Sequence, residues 1–240
     1  MSLLRCEGLT KHFGGVAAVE DLALAVEEGE ILGLIGPNGS GKTTALNMLS
    51  GFLAPDRGRM WLAGDEVTRC KPMALARRGL LRMFQTTRVF GRISAFDNLL
   101  TAGLARGLAE DEARTRAAAL LEELTLAPVM FLDAAQLSGG QRKLLEFGMC
   151  FIAPPRVALL DEPFAAVHPV MRETMAAFIR RRNAEGRTFL LVSHDMPVVV
   201  ELCHRTACMN AGRLIALGAT RAVLEDGAVI EAYLGSGSHA

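Results

Sequence analysis

An α/β fold, with a parallel sheet interrupted by a helical insertion, is predicted by three features of the sequence. Short apolar runs such as Ile31-Leu32-Gly33-Leu34-Ile35 and Val157-Ala158-Leu159-Leu160 read as strands buried on both faces, as in a parallel sheet. Polar or glycine-rich turns follow them and lead into stretches with helical character. Between these strands lies a block, from about Pro72 to Leu132, rich in Ala, Leu, Arg and Glu.

From the N-terminus, Leu3 to about Val26 carries strand-like runs broken by Gly14-Gly15. After the run at 31–35 the pattern turns helical beyond Gly41, with Leu46, Leu49 and Phe52 near one face and Gly51 and Pro55 marking the end. In the Ala/Leu-rich block, Ala113, Leu120, Leu121 and Leu124 recur at helical spacing within Glu110 to Leu126, beside charges that read as a solvated face. The run at 157–160 ends in Asp161-Glu162-Pro163. A helix spans Val170 to about Ala184, and a further strand, Thr188 to Val192, ends in Ser193-His194-Asp195. Open α/β sheets place ligands at the C-terminal ends of their strands, where these polar groups fall.

The 240 residues fit one large domain or a core with an attached lobe. Half are apolar, enough for a buried core, and the 26 basic and 26 acidic residues cancel, so no net field draws nucleic acid or anionic lipid. Five scattered cysteines (6, 70, 150, 203 and 208) form no Cys-x-x-Cys pair and read as small buried hydrophobes in a reducing compartment. No stretch reaches the roughly 18 apolar residues of a membrane span, and the N-terminus lacks the apolar core of a secretion signal. The expectation is a cytoplasmic chain, with a short flexible tail at 236–240.

Gly36-Pro37-Asn38-Gly39-Ser40-Gly41-Lys42-Thr43-Thr44 contains Gly-x4-Gly-Lys-Thr between a predicted strand and a predicted helix. Glycines let the backbone wrap phosphate closely with its amides turned inward, and the helix dipole adds to the pull. Lys42 supplies a point charge to the β- and γ-phosphates, and the Thr43 hydroxyl suits magnesium. An ordinary glycine turn is the competing reading, and the flanking strand and helix argue against it. A second anion site is suggested by Leu137-Ser138-Gly139-Gly140-Gln141: Ser138 is a good N-cap, Gln141 completes a capping box, and Lys143 to Ile152 has helical content. Alone, this segment reads better as merely a well-capped helix.

Together the two motifs resemble the ABC ATPase family, whose signature is Leu-Ser-Gly-Gly-Gln, and the resemblance covers nearly the whole chain. It implies a RecA-like P-loop NTPase core with an antiparallel β lobe and an inserted helical lobe at about 86–153, in one domain over 1–235. Phe13 stands where the family stacks an aromatic on adenine. Gln85 matches the lobe-connecting glutamine, Leu159 to Pro163 the Walker B segment, and His194 the switch histidine. The resemblance further implies ATP and Mg2+ as ligands, with Thr43, Gln85 and Asp161 around the metal, Glu162 as general base, and His194 near the γ-phosphate to position water. Lys42, Ser138 and Gly140 would offset charge on the transferring phosphoryl group. In the family two such domains pair head to tail, each offering its signature to the other's nucleotide. A groove near Gln85 to Phe90 receives a coupling helix of the membrane subunit, where Val89 and Phe90 are candidate contacts, with buried packing within the lobe an equal reading for either.

Phe84-Gln85-x-x-Arg88-x-Phe90, Asp97-Asn98-Leu99-Leu100 and Glu231-Ala232-Tyr233-Leu234-Gly235 look like branched-chain amino acid importer ATPases. Integral permeases, a second ATPase subunit and, indirectly, a periplasmic binding protein are the partners this implies; nucleic acid is not expected. That group usually has Gly where this chain has Ala166, and Asn or Asp at His168. ATPases of urea-type importers and lipopolysaccharide exporters share much of the pattern. Soluble ABC ATPases acting on nucleic acid or ribosomes are disfavoured by the single phosphate loop and the absence of a long coiled-coil insertion or basic tract.

Overall fold

The computed structural model describes residues 2–235; the expected flexible tail at 236–240 lies outside them. The chain opens with two long antiparallel strands, β1 (Ser2–Phe13) and β2 (Val16–Glu27), joined at Gly14-Gly15. Next come β3 (Ile31–Ile35), the phosphate-loop segment and α1 (Lys42–Leu49), then β4 (Arg57–Leu62) and the short β5 (Asp65–Glu66). The first sheet has the order β2-β1-β4-β5, and its pairings are antiparallel.

After α2 (Pro72–Arg77) and β6 (Leu80–Met83), the chain runs through three helices: α3 (Ala95–Ala105), α4 (Glu110–Glu123) and α5 (Gly139–Phe151). It returns through β7 (Val157–Asp161), α6 (Pro169–Ala184), β8 (Thr188–Val192) and α7 (Met196–Leu202). A hairpin of β9 (Arg205–Asn210) and β10 (Arg213–Ala219) leads to α8 (Thr220–Leu224) and α9 (Gly227–Gly235). The second sheet has the order β10-β9-β3-β8-β7-β6, parallel from β9 to β6.

The three central strands are buried at every residue, and their two-residue side-chain period divides them between two cores. Ile31, Ile35, Ala158, Leu160, Phe189 and Leu191 pack on the face shared with α3 to α7. Leu32, Leu34, Val157, Leu159, Leu190 and Val192 face α1 and the antiparallel sheet. A sheet covered on both faces has no need of apolar/polar alternation, so its strands appear in the sequence as unbroken apolar runs.

Two expectations need correction. The block beginning at Pro72 is not helical throughout: it contains β6, which pairs in register with β7 and belongs to the parallel sheet. Phe52 does not extend the apolar face of α1. The helix ends at Leu49, and Phe52 lies beyond it, 52% exposed and edge-on to Phe84 at 5.1 Å. Gly51, at φ 75°, turns the chain there, and a side chain would strike the Cys70 carbonyl. Of the five cysteines, 6, 203 and 208 are buried, whereas 70 and 150 are partly exposed; all are free thiols.

Candidate functional site

The C-terminal ends of β3, β8 and β7 open onto a cavity of about 470 Å³. Residues 38–44 line it, facing Gln85, Asp161 and Glu162. Val16, Ala17 and Ala18 of β2 and Ala211-Gly212 from the β9–β10 turn complete its wall. Gly36 and Gly41 are required by close approach: Gly36 has φ 145° and a Cβ there would sit 2.1 Å from the Met209 carbonyl oxygen, and one at Gly41, φ 101°, would sit 2.4 Å from that of Ala18. The loop thus lies against the backbone of β9 and β2 too closely for a side chain at either position.

The Lys42 ammonium is folded onto its own loop. It donates to the carbonyls of Gly36 (2.7 Å) and Pro37 (2.9 Å) and to Ser40 Oγ (3.2 Å). Burial lowers its pKa, and the charges of Glu162 and Asp161 oppose that shift. Thr43 and Thr44 follow at the start of α1 and line the same cavity.

Asp161 ends β7, 4% exposed, and its Oδ2 accepts from an Arg82 guanidinium N–H at 2.8 Å. Glu162 adopts φ 50°, a left-handed conformation that a side chain with Cβ rarely takes; its N–H donates to the Val192 carbonyl (3.0 Å) across the β7–β8 junction. This turn carries the carboxyl into the cavity, where its Oε2 lies 2.9 Å from His194 Nδ1. His194 itself is largely exposed and reaches the cavity through Glu162.

The signature residues form the expected capping box at the start of α5. Ser138 Oγ accepts from the Gln141 N–H (3.2 Å), and Gln141 Oε1 accepts from the Ser138 N–H (2.9 Å). Because the serine oxygen accepts here, its own O–H proton is left for another acceptor. Ser138, Gly140 and Gln141 do not line the cavity of their own chain. Phe13 does not line it either; it pairs with Val16, which does, and stands 53% exposed with Lys11 Nζ 5.9 Å from its ring centroid.

The structure adds contacts that the sequence does not reveal. Tyr233 of α9 brings its phenolic oxygen 2.7 Å from the Gly36 N–H and accepts from it, tying the C-terminal helix to the phosphate loop; burial pushes the phenol up to about 12. Two buried charged residues of α5 hold the segment after β6: Lys143 Nζ donates to the Gln85 carbonyl (2.9 Å), and the Glu146 carboxyl accepts the Arg88 backbone N–H. Burial pushes Glu146 up to about 7, Lys143 opposing, and Glu146 Oε2 has no hydrogen-bond partner. Asn98, wholly buried, explains the Asp-Asn-Leu-Leu segment. It accepts from the Phe90 N–H and donates to the carbonyls of Phe90 and Ser94, pinning the loop ahead of α3.

His168 caps α6 by accepting the Val170 N–H on Nδ1 (3.4 Å), the service an Asn or Asp performs at a helix start. Ala166 sits at φ 57°. Val89 packs against the core, whereas Phe90 is 56% exposed. A separate groove of about 230 Å³ is lined by Phe52, Pro72, Met73, Ala76 and Phe84 among others.

Comparison with known proteins agrees with this arrangement. The ABC transporter family profile matches residues 19–165. The high-affinity branched-chain amino acid transport ATP-binding protein BraF of Pseudomonas aeruginosa is 36% identical, over 97% of this chain and 98% of its own. LivG of Salmonella typhimurium, a protein of the same description, is 36% identical over the same shares. The lipopolysaccharide export system ATP-binding protein LptB of Escherichia coli is 34% identical over 98% of both. Among solved structures, the ADP conformation of an ATP-binding cassette of an ABC transporter superposes with a TM-score of 0.87 at 31% identity, covering 98% of this chain and 99% of that one. The phosphate loop, the carboxylates at the end of β7 and the near-full-length likeness converge on one conclusion: the chain belongs to the ABC transporter ATP-binding family and is an ATP-hydrolysing subunit of such a transporter.

Proposed function

We propose that this subunit energises import of branched-chain or other hydrophobic amino acids, using ATP held with magnesium in the cavity at the ends of β3, β8 and β7. The observation that carries the site reading is the convergence of residues 38–44, Gln85, Asp161 and Glu162 on one cavity, although they come from three separate stretches of chain. The transported class is supported by the BraF and LivG relatives, matched almost end to end.

Thr43, Gln85 and Asp161 line that cavity together, and the hydroxyl, amide and carboxylate oxygens these residues carry are a set of hard donors that fits magnesium. An ion held by these residues would supply positive charge against the phosphates of the nucleotide. Lys42 exchanges its loop carbonyls for phosphate oxygens, a gain because the new acceptors carry full negative charge. The backbone amides of the loop cradle the phosphates, and Phe13, one hairpin step from the cavity wall, covers the adenine. Glu162 takes a proton from the attacking water, and His194, in contact with that carboxylate, orients it.

Ser138, Gly140 and Gln141 lie apart from their own cavity. This supports a head-to-tail pair in which the signature of one ATPase subunit donates to the nucleotide of the other. Among the described residues no helix is long and apolar enough to cross a membrane, so attachment to the inner face of the membrane runs through integral permease subunits. The groove bearing Phe52, Met73 and Phe84 offers their cytoplasmic segments an apolar seat beside Gln85. A periplasmic binding protein delivers substrate on the far side.

Affinity capture of the chain from detergent-solubilised membranes of its native host, followed by mass spectrometry, tests the proposal. Recovery of permeases of the branched-chain amino acid type is the expected result. Recovery of lipopolysaccharide-export membrane proteins would favour the role of the LptB relative, and stable complexes with soluble proteins alone would overturn the transport assignment.

A further inference from the structure

Arg82 stands on β6, three residues before Gln85, and none of the family motifs includes it. Its side chain is 4% exposed and meets the side chain of Asp161, 6% exposed, through a hydrogen bond of 2.8 Å from one terminal nitrogen to Oδ2. The other terminal nitrogen donates to Asn47 Oδ1 (2.6 Å) and Ser50 Oγ (3.1 Å), at the C-terminal end of α1. Phe84 flanks the guanidinium, its ring centroid 4.9 Å away. One fixed charge therefore ties together the helix that starts at Lys42, the strand that delivers Gln85, and the carboxylate that ends β7.

The chemistry of this contact is directional. A guanidinium is planar and permanently charged, and its two terminal nitrogens reach different acceptors at a set angle. With Asn47 and Ser50 fixing one side, the other fixes the rotation of the Asp161 carboxylate. Oδ2 is committed to Arg82, and Oδ1 is left for the cavity that Asp161 lines. A lysine at this position would supply the charge without the fork. An apolar residue would leave a buried carboxylate free to rotate and without its hydrogen-bonded cation.

We infer that Arg82 is a positioning residue, holding Asp161 so that one oxygen is presented to the divalent cation of bound nucleotide and linking that presentation to α1 and to the strand of Gln85. The inference rests on the assignment of Asp161 to magnesium made above. It concerns binding before hydrolysis, so it is read without turnover. Binding of a fluorescent ATP analogue is titrated in EDTA and at increasing Mg2+, for the wild type and for Arg82→Lys, Arg82→Met and Asp161→Asn. Thermal melting of the nucleotide-free proteins runs in parallel.

The expected result is that Arg82→Met and Arg82→Lys bind the analogue in EDTA within about threefold of wild type, because the phosphate loop is intact. The Mg2+ concentration giving half of the affinity gain rises at least tenfold for Met and by less for Lys. Asn47→Ala keeps the pair with Asp161 but leaves Ser50 alone to brace the other side of the guanidinium, and shows a smaller shift in the same direction. Wild-type Mg2+ dependence in folded Arg82→Met, or in Arg82→Lys should the Met variant fail to fold, would overturn the role of Arg82. Wild-type Mg2+ dependence in Asp161→Asn would instead overturn the metal assignment of Asp161 itself.

Discussion

Replacing Glu162 with Gln exchanges one carboxylate oxygen for an amide NH2 and changes little else. The backbone tie to the Val192 carbonyl at 3.0 Å does not involve the side chain. The φ of 50° is as demanding for Gln as for Glu, and an amide oxygen can still accept from His194 Nδ1, now 2.9 Å from the carboxylate. What disappears is the capacity to take a proton from water. General-base catalysis contributes about 10²–10⁴ in rate, equivalent to about 2.7–5.5 kcal/mol of barrier, so Glu162→Gln should lower the rate of phosphate release at saturating ATP by that factor. Affinity for ATP should be unchanged or tighter, since the cavity loses a negative charge facing the phosphates. The assay pairs steady-state phosphate release with an equilibrium nucleotide titration on the same preparation. Undiminished turnover, with binding intact, would remove Glu162 from the role of base.

Two further predictions concern stability. Glu146 is pushed up to about 7 by burial, from an ordinary 4.5; the folded state therefore holds its proton where the unfolded chain has released it, and stability should fall as pH rises through 4.5 to 7, by at most about 3 kcal/mol. Glu146→Gln should flatten the pH dependence of the denaturation midpoint in that window; an unchanged slope would show that the carboxyl is not held in its neutral form. Ala166 occupies φ 57°, a conformation costing roughly 1–2 kcal/mol for a residue with Cβ. Ala166→Gly should relieve that strain, less the extra freedom glycine gives the unfolded chain, for a net gain of about 0.5 kcal/mol visible in chemical denaturation, whereas a loss of stability would mean the left-handed turn is not strained.

The parts of the fold legible in the sequence are those whose signal is local. β3, β7 and β8 appear as apolar runs because both faces of each are covered, and the phosphate loop and the capping box of α5 are contiguous segments whose geometry follows from their own residues. The end of α1 was less legible: Phe52 continues a helical spacing that Gly51 in fact breaks, sending the ring outward toward Phe84. β6 was hidden because its four residues, Leu-Leu-Arg-Met, lie inside an Ala/Leu/Arg-rich stretch and include a charge that is buried only because Asp161 sits on the neighbouring strand. Contacts between residues far apart in the chain left no trace. Tyr233 reaches Gly36 across 197 positions and Lys143 reaches Gln85 across 58, and neither spacing carries a periodic or motif signal. His168 reads as a departure from an Asn/Asp pattern until its Nδ1 is seen taking the Val170 amide, which shows that the cap survives the substitution.

The most direct measurement of the account is uptake of labelled leucine, isoleucine and valine by the native host carrying Glu162→Gln at the chromosomal locus, with the protein level checked by immunoblot. High-affinity uptake of these amino acids should be lost while the variant chain accumulates normally. Uptake at the wild-type rate, with the variant present and no other copy to replace it, would contradict the claim that this ATPase drives their import.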